Sequence, residues 1–180
     1  MNSPQEAGVS RIGRWMMVAA WLVLLALLTL FFSSFLERQA NPNRNPKGSV
    51  NSEGVREVVL MRNRAGHYVA DGAINGKRVT FLVDTGATDV AVPLGLAQRL
   101  GLSRGRAAVS RTANGNVKTW STRLDEVRLG PLQMRNVRAS ILPGMKGGDV
   151  LLGMSFLKHL ELLQRGRQLT LRQYGARPAG

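Results

Sequence analysis

An uninterrupted apolar segment near the N-terminus constrains the fold of this 180-residue chain more than any other feature. Trp15 to Leu36 contains no charged residue. As a helix this segment would span about 33 Å, which is enough to cross a hydrocarbon core of about 30 Å. A buried core helix would show a polar face, and a cleaved signal peptide would have a shorter apolar region ending in small residues. We therefore interpret residues 15–36 as an uncleaved signal anchor that follows an N-terminal tail, residues 1–14.

The charges on either side of the anchor do not decide its orientation. Arg11 and Arg14 precede it, whereas Arg38, Arg44 and Lys47 follow it. A short N-terminus with two arginines favours a cytoplasmic N-terminus, and a folded domain can be translocated whatever its charge. Because the chain has no cysteine, it is compatible with an oxidising compartment. We expect a single-pass membrane protein whose folded domain lies outside the cytoplasm.

The net charge of +14 leaves two interpretations open. The 25 lysines and arginines are scattered and never form a run of five or six, so we expect no nucleic-acid partner. Attraction to anionic lipid headgroups beside the anchor is one use of such a charge. A solvated basic surface with no specific partner is the other.

The remainder of the chain divides into a linker and one domain. Residues 37–55 are rich in Asn, Pro, Ser and Gly, which predicts a flexible linker that reaches roughly 25 Å. Residues 56–174 show short apolar runs separated by turn signals, among them the hairpin signal Asn75-Gly76, and residues 175–180 form a tail. Short helices are expected after Pro93 and from Met154 to Leu160. This pattern predicts an all-β fold, a closed barrel or sandwich with two short helices.

One stretch within this domain points to chemistry. The apolar residues Phe81-Leu82-Val83 lead directly into an acid, a hydroxyl and two small residues; the full stretch that follows the strand is Asp84, Thr85, Gly86, Ala87 and Thr88. A carboxylate at the end of an apolar strand carries a heavy desolvation cost, and Gly86 allows a sharp turn whose N–H groups point at it. A reactive carboxylate at the floor of a cleft explains the stretch. Asp84 as a simple turn or helix cap is the alternative.

Two further elements follow in order along the chain. Ala113-Asn114-Gly115-Asn116 links two strands that are polar on both faces, which suits a hairpin over a cleft as well as an ordinary exposed hairpin. Val150-Leu151-Leu152-Gly153 is an apolar run that ends in glycine before the second short helix. His67 and His159 have no second ligand at metal spacing, so we expect neither a metal site nor a cofactor.

Together these elements resemble the retropepsin-like aspartic proteases of clan AA, and more closely their membrane-anchored bacterial members. The resemblance rests on Asp84-Thr85-Gly86-Ala87 as active-site signature, on Thr112-Ala113-Asn114-Gly115 as flap, and on Leu151-Leu152-Gly153 as the element that supports the active-site loop. It covers roughly residues 56–174. It implies a bacterial inner-membrane protein with a periplasmic protease domain.

The resemblance also implies a homodimer. Peptide hydrolysis by this chemistry needs two carboxylates that share one proton, a case for which aspartic proteases are the standard example. The chain has a single Asp-Thr-Gly, because Asp71, Asp89, Asp125 and Asp149 lack that setting. The second carboxylate would be Asp84 of another copy, with Thr85 joining the two loops and the flap closing over an extended peptide. A catalytically silent module that binds peptides or dimerises at the membrane is the alternative from another class.

Overall fold

The computed structural model describes residues 4–112, 115–145 and 147–175. The elements in chain order are α1 Pro4–Ala40, β1 Gly48–Val50, β2 Arg56–Met61, β3 Val69–Ile74, β4 Lys77–Val83, β5 Val90–Pro93, α2 Leu94–Leu100, β6 Ala107–Thr112, β7 Gly115–Leu129, β8 Leu132–Leu142, β9 Val150–Leu152, α3 Met154–Leu157, β10 Glu161–Arg165 and β11 Gln168–Gln173. The chain forms two compact units, Met1–Gln39 and Ala40–Gly180.

The first unit is the helix α1. Its stretch Gly13–Glu37 is 25 residues long with a mean hydropathy of 2.4, and its described side chains are exposed. By length and composition this helix can cross a membrane, although an N-terminal signal sequence has the same properties. The apolar helix expected from the sequence is therefore present.

The second unit is mostly β, as predicted. Seven strands follow the order β3-β4-β9-β5-β8-β7-β6, and β3 also pairs with β7 through Ala73↔Arg128 and Ile74↔Val127. This extra pairing closes six of the strands into a ring, so the fold contains a closed barrel, one of the two architectures that the sequence predicted. Gly72 permits the closure, because a Cβ there would lie 2.3 Å from the carbonyl oxygen of Arg128 and 2.6 Å from the ring of Phe81.

Local signals predicted several elements correctly. Asn75 and Gly76 both have positive φ, 50° and 76°, and join β3 to β4 as an antiparallel hairpin. The helix α2 begins directly after Pro93 and ends at Leu100, and Gly101, with a φ of 75°, provides the left-handed C-terminal cap. The second expected helix is shorter than predicted, since α3 ends at Leu157 and turns follow.

The remaining four strands form a separate sheet in the order β1-β2-β11-β10. Its inner side contributes Val58, Leu60, Leu169 and Leu171 to the core, all at most 5% exposed. Every described buried apolar side chain belongs to the unit that begins at Ala40, among them Phe81, Leu124, Ile141, Leu152 and Phe156. This unit therefore has a complete hydrophobic core of its own.

The segment expected to be a flexible linker is instead attached to this core. Asn43 is 6% exposed, and its side-chain amide donates to the carbonyl oxygens of Met61 and Val69 at 2.9 and 2.7 Å while its oxygen accepts the N–H of Met61 at 2.7 Å. Further along, β1 pairs with β2 in the four-stranded sheet. The polar composition predicted a coil. Instead, the side chain of Asn43 connects β2 to β3 through hydrogen bonds, which we call the Asn43 bracket, and its partners are distant in sequence.

Candidate active site

The strand β4 delivers Asp84 to one end of the barrel. It runs parallel to β9, with Val83 opposite Leu152, and the N–H of Asp84 donates to the carbonyl oxygen of Leu152 at 3.2 Å. Phe81 is fully buried, whereas Asp84 is half-buried. The buried side chain of Phe81 therefore fixes β4 in the core, and the carboxylate of Asp84 lies where the strand leaves the core.

The loop after Asp84 turns back on the carboxylate. The N–H of Gly86 donates to Asp84 Oδ1 at 2.9 Å, and the N–H of Ala87 donates to the Asp84 carbonyl oxygen at 3.3 Å. Thr85 and Gly86 are exposed beside the carboxylate. This arrangement orients the carboxylate through backbone groups and leaves the hydroxyl of Thr85 at the surface.

Gly153 supports the other side of this loop. A Cβ at Gly153 would lie 2.3 Å from the carbonyl oxygen of Asp89 and 2.7 Å from that of Ala87, so only glycine fits. The helix α3 starts at once, and its first N–H groups, which have no partner inside a helix, donate to the loop: Met154 to Ala87 at 2.8 Å and Ser155 to Thr88 at 2.9 Å. Of the predicted supporting residues, Leu152 is fully buried and Leu151 faces the cavity described below.

Ser155 is a supporting residue that the sequence did not reveal. Its side chain is 7% exposed, accepts the N–H of Val90 at 3.0 Å and donates to the carbonyl oxygen of Arg138 at 2.8 Å. One hydroxyl thus links α3, β5 and β8 beneath the loop. The only local signal was a small hydroxyl residue in an otherwise apolar turn, Met154-Ser155-Phe156-Leu157.

An open cavity of about 880 Å³ lies over the carboxylate. Its lining comes from the Asp84 loop, from the strands and loops beside it, and from the β6–β7 hairpin; the residues are Asp84, Gly86, Ala87, Thr88, Asp89, Ala91, Ser110, Val117, Ser140, Leu142, Gly144, Met145 and Leu151. This volume is within the range of ligand sites. The structure therefore brings the predicted loop, the predicted hairpin and Leu151 to one cavity.

The hairpin itself has the predicted antiparallel register, with Thr112 opposite Gly115. Gly115, the first residue of β7, has a φ of 100°, a backbone conformation that favours glycine. Ala113 and Asn114, the centre of the predicted flap, lie outside the described residues. Ser110 and Val117, on the two arms of the hairpin, reach the cavity.

Two acids line the cavity, and they differ in their surroundings. Asp89 forms an ion pair with Arg138 at 3.3 Å. Within residues 4–112, 115–145 and 147–175, the structure shows no ion pair to Asp84. Outside the cavity, Asp71 accepts hydrogen bonds from Thr80 at 3.0 Å and Arg78 at 2.9 Å. Among the residues that the structure describes, Asp84 is thus the cavity carboxylate without an ion pair.

The comparisons with known proteins agree with this geometry. Residues 70–159 match the family described as gag-polyprotein putative aspartyl protease. The chain belongs to the retropepsin-like aspartic protease family. The matched range contains the Asp84 loop, the hairpin and Gly153, so the resemblance drawn from those elements is confirmed.

Relatives of this retropepsin-like chain occur in Sinorhizobium and Rickettsia. An uncharacterized protein from the cobV 5′ region of a Sinorhizobium species is 36% identical over 168 residues, which cover 86% of this chain and 72% of the relative. An uncharacterized protein of Rickettsia prowazekii is 31% identical over 127 residues, and the match spans 68% of this chain but only 54% of that protein. The crystal structure of a retropepsin-like aspartic protease from Rickettsia conorii superposes with a TM-score of 0.56 at 29% identity, covering 71% of this chain and 94% of that one.

Proposed function

We propose that this protein is a membrane-tethered aspartic endopeptidase that acts as a homodimer, with Asp84 of each copy as the catalytic residue. The environment of Asp84 supports this proposal most strongly. Its carboxylate is half-buried, lies at a cavity of about 880 Å³ and accepts a hydrogen bond from the Gly86 N–H. Among the described residues, no cation forms an ion pair with it. A fixed cation would hold the carboxylate ionised, whereas a second carboxylate nearby forces the pair to share a proton.

The chemistry follows from that shared proton. The ionised Asp84 accepts a proton from a water molecule, whose oxygen attacks the scissile carbonyl carbon, while the protonated Asp84 of the other copy donates a hydrogen bond to the carbonyl oxygen. The tetrahedral intermediate then collapses as the C–N bond breaks. The leaving amine takes up the proton, and the two carboxyl groups return to sharing one. Thr85 is exposed beside the carboxylate, and we propose that it contacts the other loop across the two-fold axis.

Substrate binding is proposed to use the hairpin. The arms of β6 and β7 contribute Ser110 and Val117 to the cavity, which Leu142 and Leu151 also line. An extended peptide in this space would gain main-chain hydrogen bonds as in strand addition, with Thr112, Ala113, Asn114 and Gly115 closing over it as the flap. Closure also excludes water, which strengthens the electrostatic interactions of the carboxylates.

The charge of Arg172 on the last strand does not oppose association of two copies. Arg172 Nε contacts Glu57 Oε2 at 2.5 Å and its NH1 lies 3.5 Å from Glu161 Oε2, so two carboxylates of the same sheet neutralise it within one chain. The hydrogen bond to Glu57 also raises the pKa of Arg172. The Sinorhizobium and Rickettsia relatives and the apolar helix α1 support tethering to a bacterial inner membrane. We propose that the protease domain lies on the periplasmic side.

The test uses residues 40–180, because a fragment that begins later would lose the Asn43 bracket and β1. Wild type, Asp84→Asn and Asp125→Asn are incubated with a diverse peptide mixture at several protein concentrations, and cleavage is read by mass spectrometry. Asp125 is an exposed aspartate on β7, so Asp125→Asn is a matched control. We expect cleavage by wild type and Asp125→Asn alone, with specific activity rising with protein concentration.

A mixing experiment distinguishes an active site that two copies share from an active site formed within one copy. Excess Asp84→Asn added to wild type should suppress cleavage, because mixed dimers contain one carboxylate. Equal cleavage by Asp84→Asn and wild type would refute the mechanism. No cleavage by a demonstrably dimeric wild type would favour the catalytically silent peptide-binding module.

A further inference from the structure

A second cavity, of about 610 Å³, lies beside α3 and shares no lining residue with the cavity over Asp84. Four exposed basic residues line it: Arg135 and Arg138 on β8, and Lys158 and His159 in the turn after α3. Among the residues that the structure describes, no aspartate or glutamate lines this cavity, and neither Arg135 nor Lys158 forms an ion pair. We call it the basic cavity.

The carboxylates close to the basic cavity are bonded to other groups. Glu126 lies opposite Arg135 in the pairing of β7 with β8, but its carboxylate pairs with Arg128 at 2.7 Å. Glu161 accepts a hydrogen bond at 2.8 Å from Tyr174, which also lines the cavity. Neither carboxylate is therefore paired with a cation of the basic cavity.

The donors of this cavity suit a phosphate group. A guanidinium can donate two parallel hydrogen bonds to phosphate oxygens, and a lysine ammonium adds a point charge. Asn136 also lines the cavity, and because its amide oxygen accepts a hydrogen bond from Arg123 at 2.9 Å, its NH₂ group can donate to a ligand. The volume lies within the range of about 300–1,000 Å³ for small-molecule sites.

Arg138 connects the basic cavity to the catalytic cavity. Its guanidinium lies 3.3 Å from Asp89 Oδ1, and Asp89 lines the cavity over Asp84. This contact is longer than the 2.7–2.9 Å or so of a strong charged hydrogen bond, and the Arg138 side chain is 61% exposed. Within the described part of the chain, Asp89 Oδ1 is buried and accepts no hydrogen bond, so its described counter-charge is Arg138.

We propose that the basic cavity binds the phosphate group of a small molecule, and that binding transfers the Arg138 guanidinium from Asp89 to this phosphate. Asp89 then carries an unpaired negative charge at the catalytic cavity, where it favours peptides with a lysine or arginine near the scissile bond. This effect on peptides rests on the proposed peptidase function, whereas phosphate binding does not.

The first test measures binding to the full chain in a neutral detergent by isothermal titration calorimetry. The probes are inorganic phosphate, glucose 6-phosphate and glucose. We compare wild type, the site variant Arg135→Gln/Lys158→Gln, and a charge-matched control, Arg99→Gln/Arg165→Gln, whose exposed arginines line neither cavity. Circular dichroism melts establish that all three proteins are folded.

We expect wild type and the control to bind both phosphate compounds but not glucose. The site variant should bind them at least tenfold more weakly, because a hydrogen bond to a charged group contributes about that factor. An equal loss in the control would show that only net charge matters and would overturn the proposal. So would a failure of wild type to bind either phosphate compound, or binding of glucose as tight as that of glucose 6-phosphate.

The second test examines the coupling through Arg138 without any peptide. Asp89→Asn removes the carboxylate that competes for the Arg138 guanidinium. It should therefore bind glucose 6-phosphate about two- to fivefold more tightly than wild type, the range expected for a partly exposed ion pair. An unchanged affinity would refute the coupling.

The third test measures cleavage of two peptides that differ only in a lysine or a glutamine near the cleaved bond. Because coupling between two sites is reciprocal, glucose 6-phosphate should raise kcat/KM for the lysine peptide relative to the glutamine peptide by about two- to fivefold. Arg138→Gln should show the raised ratio without glucose 6-phosphate and no further response. A ratio that glucose 6-phosphate does not change would refute the effect on peptides, whereas no cleavage by any sample would count against the proposed peptidase and leave the calorimetric results to decide the basic cavity.

Discussion

Replacing Gly153 with alanine tests whether close contact between this residue and the Asp84 loop holds the carboxylate in place. The new Cβ would lie 2.3 Å from the Asp89 carbonyl oxygen, and ordinary contact begins at 3.4 Å, so the loop must move by about 1 Å. Both oxygens that the Cβ meets, those of Asp89 and Ala87, belong to the backbone, so no side chain can rotate away. Overpacking of this kind costs about 1–3 kcal/mol.

Hydrogen bonds add to this cost. A shift of the loop weakens the bonds from Met154 and Ser155 to Ala87 and Thr88, each of which contributes about 0.5–1.5 kcal/mol. The smaller conformational freedom of alanine in the unfolded chain offsets about 0.4–1 kcal/mol. We therefore expect Gly153→Ala to lower the free energy of unfolding by about 3 kcal/mol, which corresponds to a drop in Tm of roughly 10 °C for a domain of this size.

The assay is urea denaturation of residues 40–180, followed by circular dichroism and fluorescence. Gly95→Ala is the matched control: Gly95 lies in α2 with no atom within 4 Å of its ideal Cβ, so alanine there should stabilise by about 0.5–1 kcal/mol. Peptide cleavage by folded Gly153→Ala should fall by about 100-fold, as expected for a catalytic group displaced by about 1 Å. A free energy of unfolding within 1 kcal/mol of wild type would refute the argument that Gly153 is sterically required.

Three further predictions concern groups that support the site or the domain. Ser155→Ala leaves the buried N–H of Val90 without an acceptor and should lower the free energy of unfolding by about 1–3 kcal/mol in urea titrations, a result that an unchanged midpoint would contradict. Asn43→Ala removes three hydrogen bonds and should expose residues 41–55 to limited proteolysis, whereas Asn45→Ala, at an exposed position two residues later, should not. Desolvation, with a smaller contribution from the Asp71 carboxylate, raises the pKa of Asp149 above its usual value of 3.8. Because the folded state then binds this proton more tightly than the unfolded state, the free energy of unfolding decreases as the pH rises above 3.8. Asp149→Asn should therefore have a higher free energy of unfolding than wild type at pH 7 but not at pH 3, as measured by urea denaturation.

The sequence predicted those parts of the site that depend on local chemistry. A strand followed directly by the turn Asp84-Thr85-Gly86 and a hairpin at Asn75-Gly76 are each specified by a few adjacent residues, and both are present. Repeated short strands also predicted an all-β fold, but they did not distinguish the closed barrel from a sandwich, because the closing pair β3–β7 joins strands that are distant in sequence.

Long-range hydrogen bonds account for what the sequence did not predict. The sequence predicts that Asn43 belongs to a linker, because asparagine is a common loop residue. Its hydrogen-bond partners lie 18 and 26 positions away, so no local pattern identifies them. Ser155 meets Val90 across 65 residues. Arg172 on β11 is paired with Glu57, which lies 115 residues earlier in the sequence. A polar side chain in a sequence shows what it can bond, but only the folded chain brings its partner to it.

The attachment of Asn43 to the barrel limits how far a membrane-tethered form of this protein could reach. Two residues, Arg38 and Gln39, lie between Glu37, where the apolar stretch ends, and Ala40, where the compact unit of 141 residues begins. If α1 spans a membrane, as we propose, this segment adds at most about 11 Å of chain, whereas a flexible linker over residues 37–55 would reach roughly 25 Å. A peptidase tethered in this way would cleave membrane proteins close to their transmembrane segments and would not reach loops that extend farther out.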